Sequence, residues 1–214
     1  MTDFDYTLAY VFPGQGSQSV GMLAGLAAAH PVVEETFAEA SEVLGYDLWQ
    51  LVQNGPEEQL NRTDRTQPAM LAAGVAVWRV LAQAGDRRPA LLAGHSLGEY
   101  SALVCAGVLE FPAAVKLVES RARFMQDAVP AGTGAMAAIL GLDDTTVREV
   151  CTQAAEGEVV EPVNFNAPGQ VVIAGTAAAV ERAISQAKAA GAKRALPLPV
   201  SVPSHCSLMQ PAAE

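Results

Sequence analysis

The sequence predicts an α/β protein: a parallel sheet covered by helices, followed by a smaller βαββαβ unit. Three observations carry that prediction. The first half alternates short apolar runs with helical periodicity, the strand–helix order of a parallel sheet. One of those strands runs into Gly94-His95-Ser96-Leu97-Gly98 and then directly into a helix pattern. From about residue 130 the rhythm becomes strand, helix, strand, strand, helix, strand, the split-βαβ order of a ferredoxin-like unit.

The elements follow in order. Tyr6 to Phe12, "YTLAYVF", is a short apolar strand broken at Pro13-Gly14. Helical spacing covers Val20 to Ala29 and then Val32 to Leu44, the second with an acidic outer face. Pro68 to Ala84 reads as a helix with proline in its first turn, where a missing N–H is tolerated. Ala90 to Ala93 is a strand, Leu97 to about Gly107 a helix, and Pro112 to about Ala128 a helix ended by "PAGTG". Further on, "GAMAAILG" is a strand and "DDTTVREVCTQAAE" a helix with an acidic first turn. "VVEPVNFN" and "QVVIAG" are strands joined by Ala167-Pro168-Gly169. "TAAAVERAISQAKAAG" is a helix with a threonine cap, and "KRALPLPV" a last strand. The expected division is a large subdomain, 1–129 with 201–214, and a small one, 130–200, inserted in it.

Composition narrows the function. Half of the 214 residues are apolar and 17% are charged, which is enough for a sizeable core. A net charge of −10 argues against a general nucleic-acid or anionic-membrane binder, since both need a positive surface. It leaves room for an acidic partner on a local basic patch. Cys105, Cys151 and Cys206 are an odd number without metal-ligand spacing, as expected of reduced thiols in a cytoplasmic protein with no metal site. The N-terminus begins acidic and its apolar run is short, unlike a signal peptide or a membrane span.

Ser96 is the centre of the chemical reading. A strand, Gly-X-Ser-X-Gly and a helix make the pattern of a nucleophile elbow, in which a strained turn lifts the serine oxygen off the sheet. The helix from Leu97 aims its N–H groups at charge developing beside the serine. The bland alternative is a helix N-cap serine. A second oxyanion donor is expected from "PGQGSQ", Pro13 to Gln18, which leaves the first strand at the same sheet edge and would present the Gln15 N–H. That loop could instead cradle phosphate, although it lacks a P-loop lysine, or be only a turn.

A serine nucleophile needs a base, and the chain has three histidines. His30 sits before a proline at a helix end. His95 adjoins the serine, but neighbours at a sharp turn point apart. His205, where the last strand is expected to end near Pro203, is the base candidate. On the helix from Pro112, Ala114, Val115, Val118, Ala122 and Met125 form the buried stripe, with Lys116, Glu119, Arg123 and Asp127 on the other side. Arg121 falls on or beside the stripe. A guanidinium there needs an anionic or carbonyl partner: either a structural ion pair or a substrate carboxylate held by its fork.

The stretches "VFPGQGSQSVGM", "TQPAM", "GHSLGEYSALVCAG", "ESRARFMQDAVPAGTGAMAAILGL", "PVNFNAPGQVVIAG" and "GAKRALPLPVSVPSHCSLM" together resemble the malonyl-CoA:acyl-carrier-protein transacylases of type II fatty-acid synthesis and the acyltransferase domains of polyketide synthases. The resemblance runs from about residue 6 to the end. It implies an α/β-hydrolase-like parallel-sheet core with a ferredoxin-like insertion. Family members run further than Glu214, so it also implies that the C-terminal part of the core is missing. Residue by residue, it makes Ser96 the nucleophile, His205 the base and Arg121 the partner of the malonyl carboxylate. Gln15 and Leu97 become the oxyanion-hole donors, and Gln67 lines the pocket.

The implied partners are malonyl-CoA and an acyl carrier protein whose own phosphopantetheine receives the group, with no cofactor, nucleic acid or membrane, for a cytoplasmic monomer. Lys193 and Arg194, with Lys188, are the docking candidates on this acidic chain, and Arg87-Arg88 the second choice. Two rivals are a serine thioesterase or hydrolase, and an inactive acyltransferase-like binding protein.

Overall fold

β1 (Phe4–Phe12) and β2 (Arg88–Gly94) pair in parallel, with Phe12 opposite Gly94, so the loops after both strands leave at one edge. The structure is a computed structural model that describes residues 4–85, 87–130, 132–200 and 202–214. It divides into two compact units, one ending at Ala122 and one running Arg123–Glu214.

In the first unit, α1 (Ala24–Ala29), α2 (Val32–Leu44), α3 (Leu48–Asn54), α4 (Glu57–Leu60), α5 (Thr63–Gln83) and α6 (Gly98–Cys105) accompany the strands. α7 (Phe111–Ala128) starts in this unit and continues past its boundary. Phe37, Leu48, Leu60, Leu71, Val75 and Val115 build its core, each at most 2% exposed.

Four helices differ from the sequence expectation. α5 begins five residues before Pro68, which lies inside the helix rather than in its first turn. The first turn of α5 is tied down ahead of the proline: Thr66 N donates to the Arg62 carbonyl, and Thr66 Oγ1 lies within hydrogen-bond reach of the Leu60 and Arg62 carbonyls. The first predicted helix shortens to Ala24–Ala29, behind Leu23 in a left-handed conformation with φ 64°. α3 and α4 were not anticipated, as neither is long enough to display a helical period.

The second unit contains β3 (Gly134–Leu140), α8 (Asp144–Ala155), β4 (Val160–Ala167), β5 (Gln170–Thr176), α9 (Ala177–Ala189), β6 (Arg194–Pro197) and a 3-10 helix over Ser207–Ala212. The sheet order is β4-β5-β3-β6 with every pair antiparallel, as the split-βαβ reading expects. α8 and α9 bury Val147, Val150, Val180 and Ala183 against Ile139, Val171 and Ile173. The threonine cap is present: Thr176 Oγ1 accepts from Ala179 N at 3.4 Å. Met125, Val129, Val202 and Met209 pack together within the second unit, whose boundary falls inside α7. Among the described residues no helix is long and apolar enough to cross a membrane.

Candidate active site

Backbone crowding builds the serine turn. His95 N donates to the Phe12 carbonyl at 3.0 Å, tying the turn to the end of β1. A Cβ on Gly98 would collide with the Phe12 carbonyl, and one on Gly94 with the Gly98–Glu99 peptide, so both flanking positions require glycine. Between them Ser96 adopts φ 53°. That left-handed conformation costs a non-glycine residue about 1–2 kcal/mol, which the surrounding strand–turn–helix must hold in place.

α6 follows immediately. The N–H groups of Gly98, Glu99 and Tyr100 donate to the carbonyls of His95, Ser96 and Leu97 at 2.9–3.2 Å. Leu97, only 1% exposed, occupies the N-cap position with no side-chain cap. Ser96 is therefore not a helix-capping serine. Its half-buried hydroxyl lies instead beside Arg121.

The loop after β1 touches this turn. A Cβ on Gly14 would fall 2.6 Å from the His95 carbonyl oxygen, so only glycine permits the approach. Gln15 is the next residue, and its side-chain Nε2 donates to the buried Thr63 Oγ1 at 3.1 Å. The backbone N–H groups of Gln15 and Leu97 donate to no acceptor among the described residues. Two unengaged donors beside a strained serine suit the stabilisation of a negatively charged oxygen.

On α7 the predicted stripe Ala114, Val115, Val118, Ala122 and Met125 is buried, with Arg121 half-buried beside it. Arg121 Nη1 donates to Gln67 Oε1 at 2.7 Å and Nη2 to Ser96 Oγ at 3.3 Å. Its Cζ lies 5.7 Å from the Tyr100 ring centroid. These partners are all uncharged. Burial pushes the Arg121 pKa below its ordinary value, and Tyr100 acts the other way. A desolvated cation with neutral partners favours an incoming carboxylate, which its fork can bind bidentately. The Gln67 side chain is fully buried under it.

One residue of the helix departs from expectation. Glu119, placed by pattern on the outer side, is 3% exposed and accepts from Lys116 Nζ at 3.0 Å. It follows Val115 by four residues, which brings it to the flank of the stripe.

The structure thus brings Ser96, Leu97, Gln15, Arg121 and Gln67 together in the first unit. The sequence reading did not include Thr63 or Tyr100. Tyr100 had a signal, lying in the first turn of the helix that follows Ser96, while Thr63 lay in a stretch without readable periodicity.

His205, Lys193 and Arg194 belong to the second unit. His205 is exposed and has φ 71°, in a turn rather than at a strand end, because β6 stops at Pro197. The turn is held on both sides. Cys206 Sγ donates to the Pro203 carbonyl at 3.1 Å, and Ser207 N and Oγ donate to the Glu161 carboxylate at 2.8 and 2.7 Å. Lys193, Arg194 and Lys188 are exposed. In the first unit Arg87 pairs with Asp5, and the Arg88 guanidinium stacks 4.5 Å from the Phe4 ring centroid. His30 closes α1.

Residues 9–214 match the acyl transferase domain family. The chain is 69% identical over its whole length to the malonyl CoA-acyl carrier protein transacylase of Escherichia coli K12, spanning 68% of that protein. It is 50% identical to the Bacillus subtilis protein of the same name, over 97% of this chain and 65% of that one. Among solved structures, a malonyl-transacylase in complex with its type II PKS acyl-carrier protein aligns with TM-score 0.93 at 68% identity, over 96% of this chain and 66% of that chain. The transacylase of Xanthomonas oryzae pv. oryzae aligns with TM-score 0.95 at 61% identity, over 99% of this chain and 67% of that one. With the strained serine, its arginine and matches of this extent, the chain belongs to the acyl transferase domain family, among the malonyl CoA-acyl carrier protein transacylases.

Proposed function

We propose that this protein transfers a malonyl group from malonyl-CoA to the phosphopantetheine thiol of an acyl carrier protein through a malonyl-Ser96 intermediate. The observation that carries the reading is Arg121: a half-buried guanidinium on neutral partners, 3.3 Å from the hydroxyl of a serine at φ 53°. The relatives' names supply the substrate and the acceptor.

In the first half-reaction His205 takes the Ser96 proton and Oγ attacks the thioester carbonyl. The resulting oxyanion accepts from the N–H groups of Gln15 and Leu97. One such donor typically contributes roughly a hundred- to a thousand-fold in rate. The C–S bond breaks, the CoA thiolate takes the proton from His205, and malonyl-Ser96 remains. In the second half-reaction His205 takes the carrier thiol proton, the thiolate attacks the ester carbonyl, and the bond to Ser96 Oγ breaks as His205 returns the proton to that oxygen. Arg121 holds the malonyl carboxylate in both. An acetyl group would leave the desolvated guanidinium unpaired, so malonyl is preferred. No cofactor is needed for these steps. The exposed Lys193 and Arg194 are the proposed contacts for an acidic carrier protein, and a cytoplasmic setting goes with the three free thiols.

The architecture assigned with this function is an α/β-hydrolase-like core with residues 130–200 as its insertion. The parallel β1–β2 pair and its strand–serine–helix turn support the reading. Val11 and Leu91 share one face of that pair and remain 73% and 67% exposed, apolar surface of the kind that further core would cover.

The test is intact-mass measurement after brief exposure to malonyl-CoA. A malonyl adduct is expected on the wild-type chain, absent from Ser96→Ala and scarce with acetyl-CoA. A folded wild-type chain that acquires no adduct, or an adduct that survives Ser96→Ala, overturns the reading.

A further inference from the structure

The loop that carries Gln15 is shaped by a side chain that the reaction does not touch. Gln18 reaches back so that its Oε1 accepts the Gly16 N–H at 2.8 Å, while its Nε2 donates to Asn61 Oδ1, also at 2.8 Å. Asn61 is itself fixed. It closes α4, and its N–H donates to the Glu57 carbonyl at 2.9 Å. The chain direction at Gly16, with φ 101°, has no side chain of its own to hold it. Gln15 therefore sits between two anchored peptides: Gly14 pressed on the His95 carbonyl, and Gly16 bonded to Gln18.

We propose that Gln18, braced by Asn61, is a positioning residue that aims the Gln15 N–H at the reacting oxygen. The proposal rests on the oxyanion role given to Gln15 above. Its chemical logic lies in the carboxamide, which accepts from one group and donates to another at the same time. Alanine does neither. Glutamate still accepts from Gly16, and Asn61 can turn its own amide to donate to the new carboxylate. A donor displaced by a fraction of an ångström loses part of its effect on the transition state while substrate binding through Arg121 is unchanged.

The experiment follows formation of malonyl-Ser96 by rapid quench and intact mass, with steady-state kcat and KM for malonyl-CoA and thermal melting as a check on folding. Gln18→Ala is expected to lower the acylation rate and kcat about tenfold, a fraction of the effect of losing an oxyanion donor outright. KM should stay within about twofold. Gln18→Glu is expected to recover most of the rate. Asn61→Ala is expected to show a smaller loss, and the double variant to be no worse than Gln18→Ala alone, because the two act as one unit. Wild-type acylation with Gln18→Ala equally fast overturns this inference only. A raised KM with kcat preserved overturns it as well, since Gln18 would then act in binding. A wild-type chain that is never acylated overturns the transacylase reading itself. Should Gln18→Ala not fold, Asn61→Ala and Gln18→Glu decide: losses of rate that simply track lost stability overturn the proposal.

Discussion

Thr63 and Gln67 lie four residues apart on α5, and each holds a different part of the serine site. Thr63 Oγ1 accepts from Gln15 Nε2 at 3.1 Å, and Gln67 Oε1 accepts from Arg121 Nη1 at 2.7 Å. Both residues are fully buried. Positions i and i+4 share a helix face, so one turn of a rigid helix relates the proposed oxyanion loop to the proposed carboxylate clamp.

That arrangement makes Gln67→Glu informative. The new carboxylate would satisfy Arg121 from within and remove the advantage of a substrate carboxylate. Hydrogen bonds to charged groups contribute about 1.5–3 kcal/mol, so KM for malonyl-CoA should rise by roughly tenfold or more. Preference for malonyl over acetyl should fall while the melting temperature holds. Steady-state kinetics with both thioesters, together with thermal melting, check this. An unchanged KM would mean that Arg121 does not meet the substrate carboxylate.

Gly14→Ala tests the contact between the two loops. The added Cβ would lie 2.6 Å from the His95 carbonyl oxygen, a backbone atom that cannot move without shifting the serine turn. Overpacking of this kind typically costs about 1–3 kcal/mol. Urea titration should give a lower midpoint, and malonyl-Ser96 should form more slowly in whatever remains folded. Wild-type values for both would show that the turn yields freely.

Ser96 and Gln15 were legible in the sequence because strand, glycines and helix come in an order that the chemistry needs. Arg121 was legible by its misfit, a charge on an apolar stripe. The same pattern failed for Glu119, since a flank position looks external on a wheel and is decided by what packs over it. Gln67 came from the resemblance alone, as a buried glutamine inside a helix carries no periodic signal. Thr63 and Asn61 were illegible because α3 and α4 are too short to reveal a period, which left residues 45–67 unplaced, and Gln18 because its partner Asn61 lay in that stretch. One local signal was available there: Asp47 stands three residues before Gln50 and accepts its N–H at 2.8 Å. Pro68 was read as a start because proline favours first turns, whereas α5 already begins at Thr63, five residues earlier.

The cysteines should be chemically quiet. Burial pushes the Cys105 and Cys151 thiols up to about 12 and raises Cys206 as well. At pH 8 a thiol with such a pKa is ionised in about one molecule in ten thousand, and the thiolate is the nucleophile. Iodoacetamide should label the native chain slowly between pH 7 and 9 and rapidly in urea, as read by intact mass. A raised folded pKa adds stability that is complete below the ordinary value of 9.0 and is lost as pH rises towards about 12. Urea midpoints should therefore fall only on the alkaline side. Rapid native labelling would contradict the burial.

The left-handed conformation of Ser96 separates strain from chemistry. Ser96→Ala and Ser96→Gly both remove the hydroxyl, and with it the 3.3 Å bond from Arg121 Nη2, so neither should acquire a malonyl group. They differ in what φ 53° costs them. Alanine keeps the Cβ that makes this conformation unfavourable by about 1–2 kcal/mol, whereas glycine adopts it freely. Glycine also carries extra unfolded-state entropy, which offsets about 0.5–1 kcal/mol of that difference. Ser96→Gly should thus be the more stable variant by up to about 1 kcal/mol, measured by urea titration of the two side by side. An advantage of that sign would show that the fold holds the nucleophile in a conformation its own backbone resists. Greater stability in Ser96→Ala would mean that the turn stores no such strain, and the exposure of the hydroxyl would then have to come from packing alone.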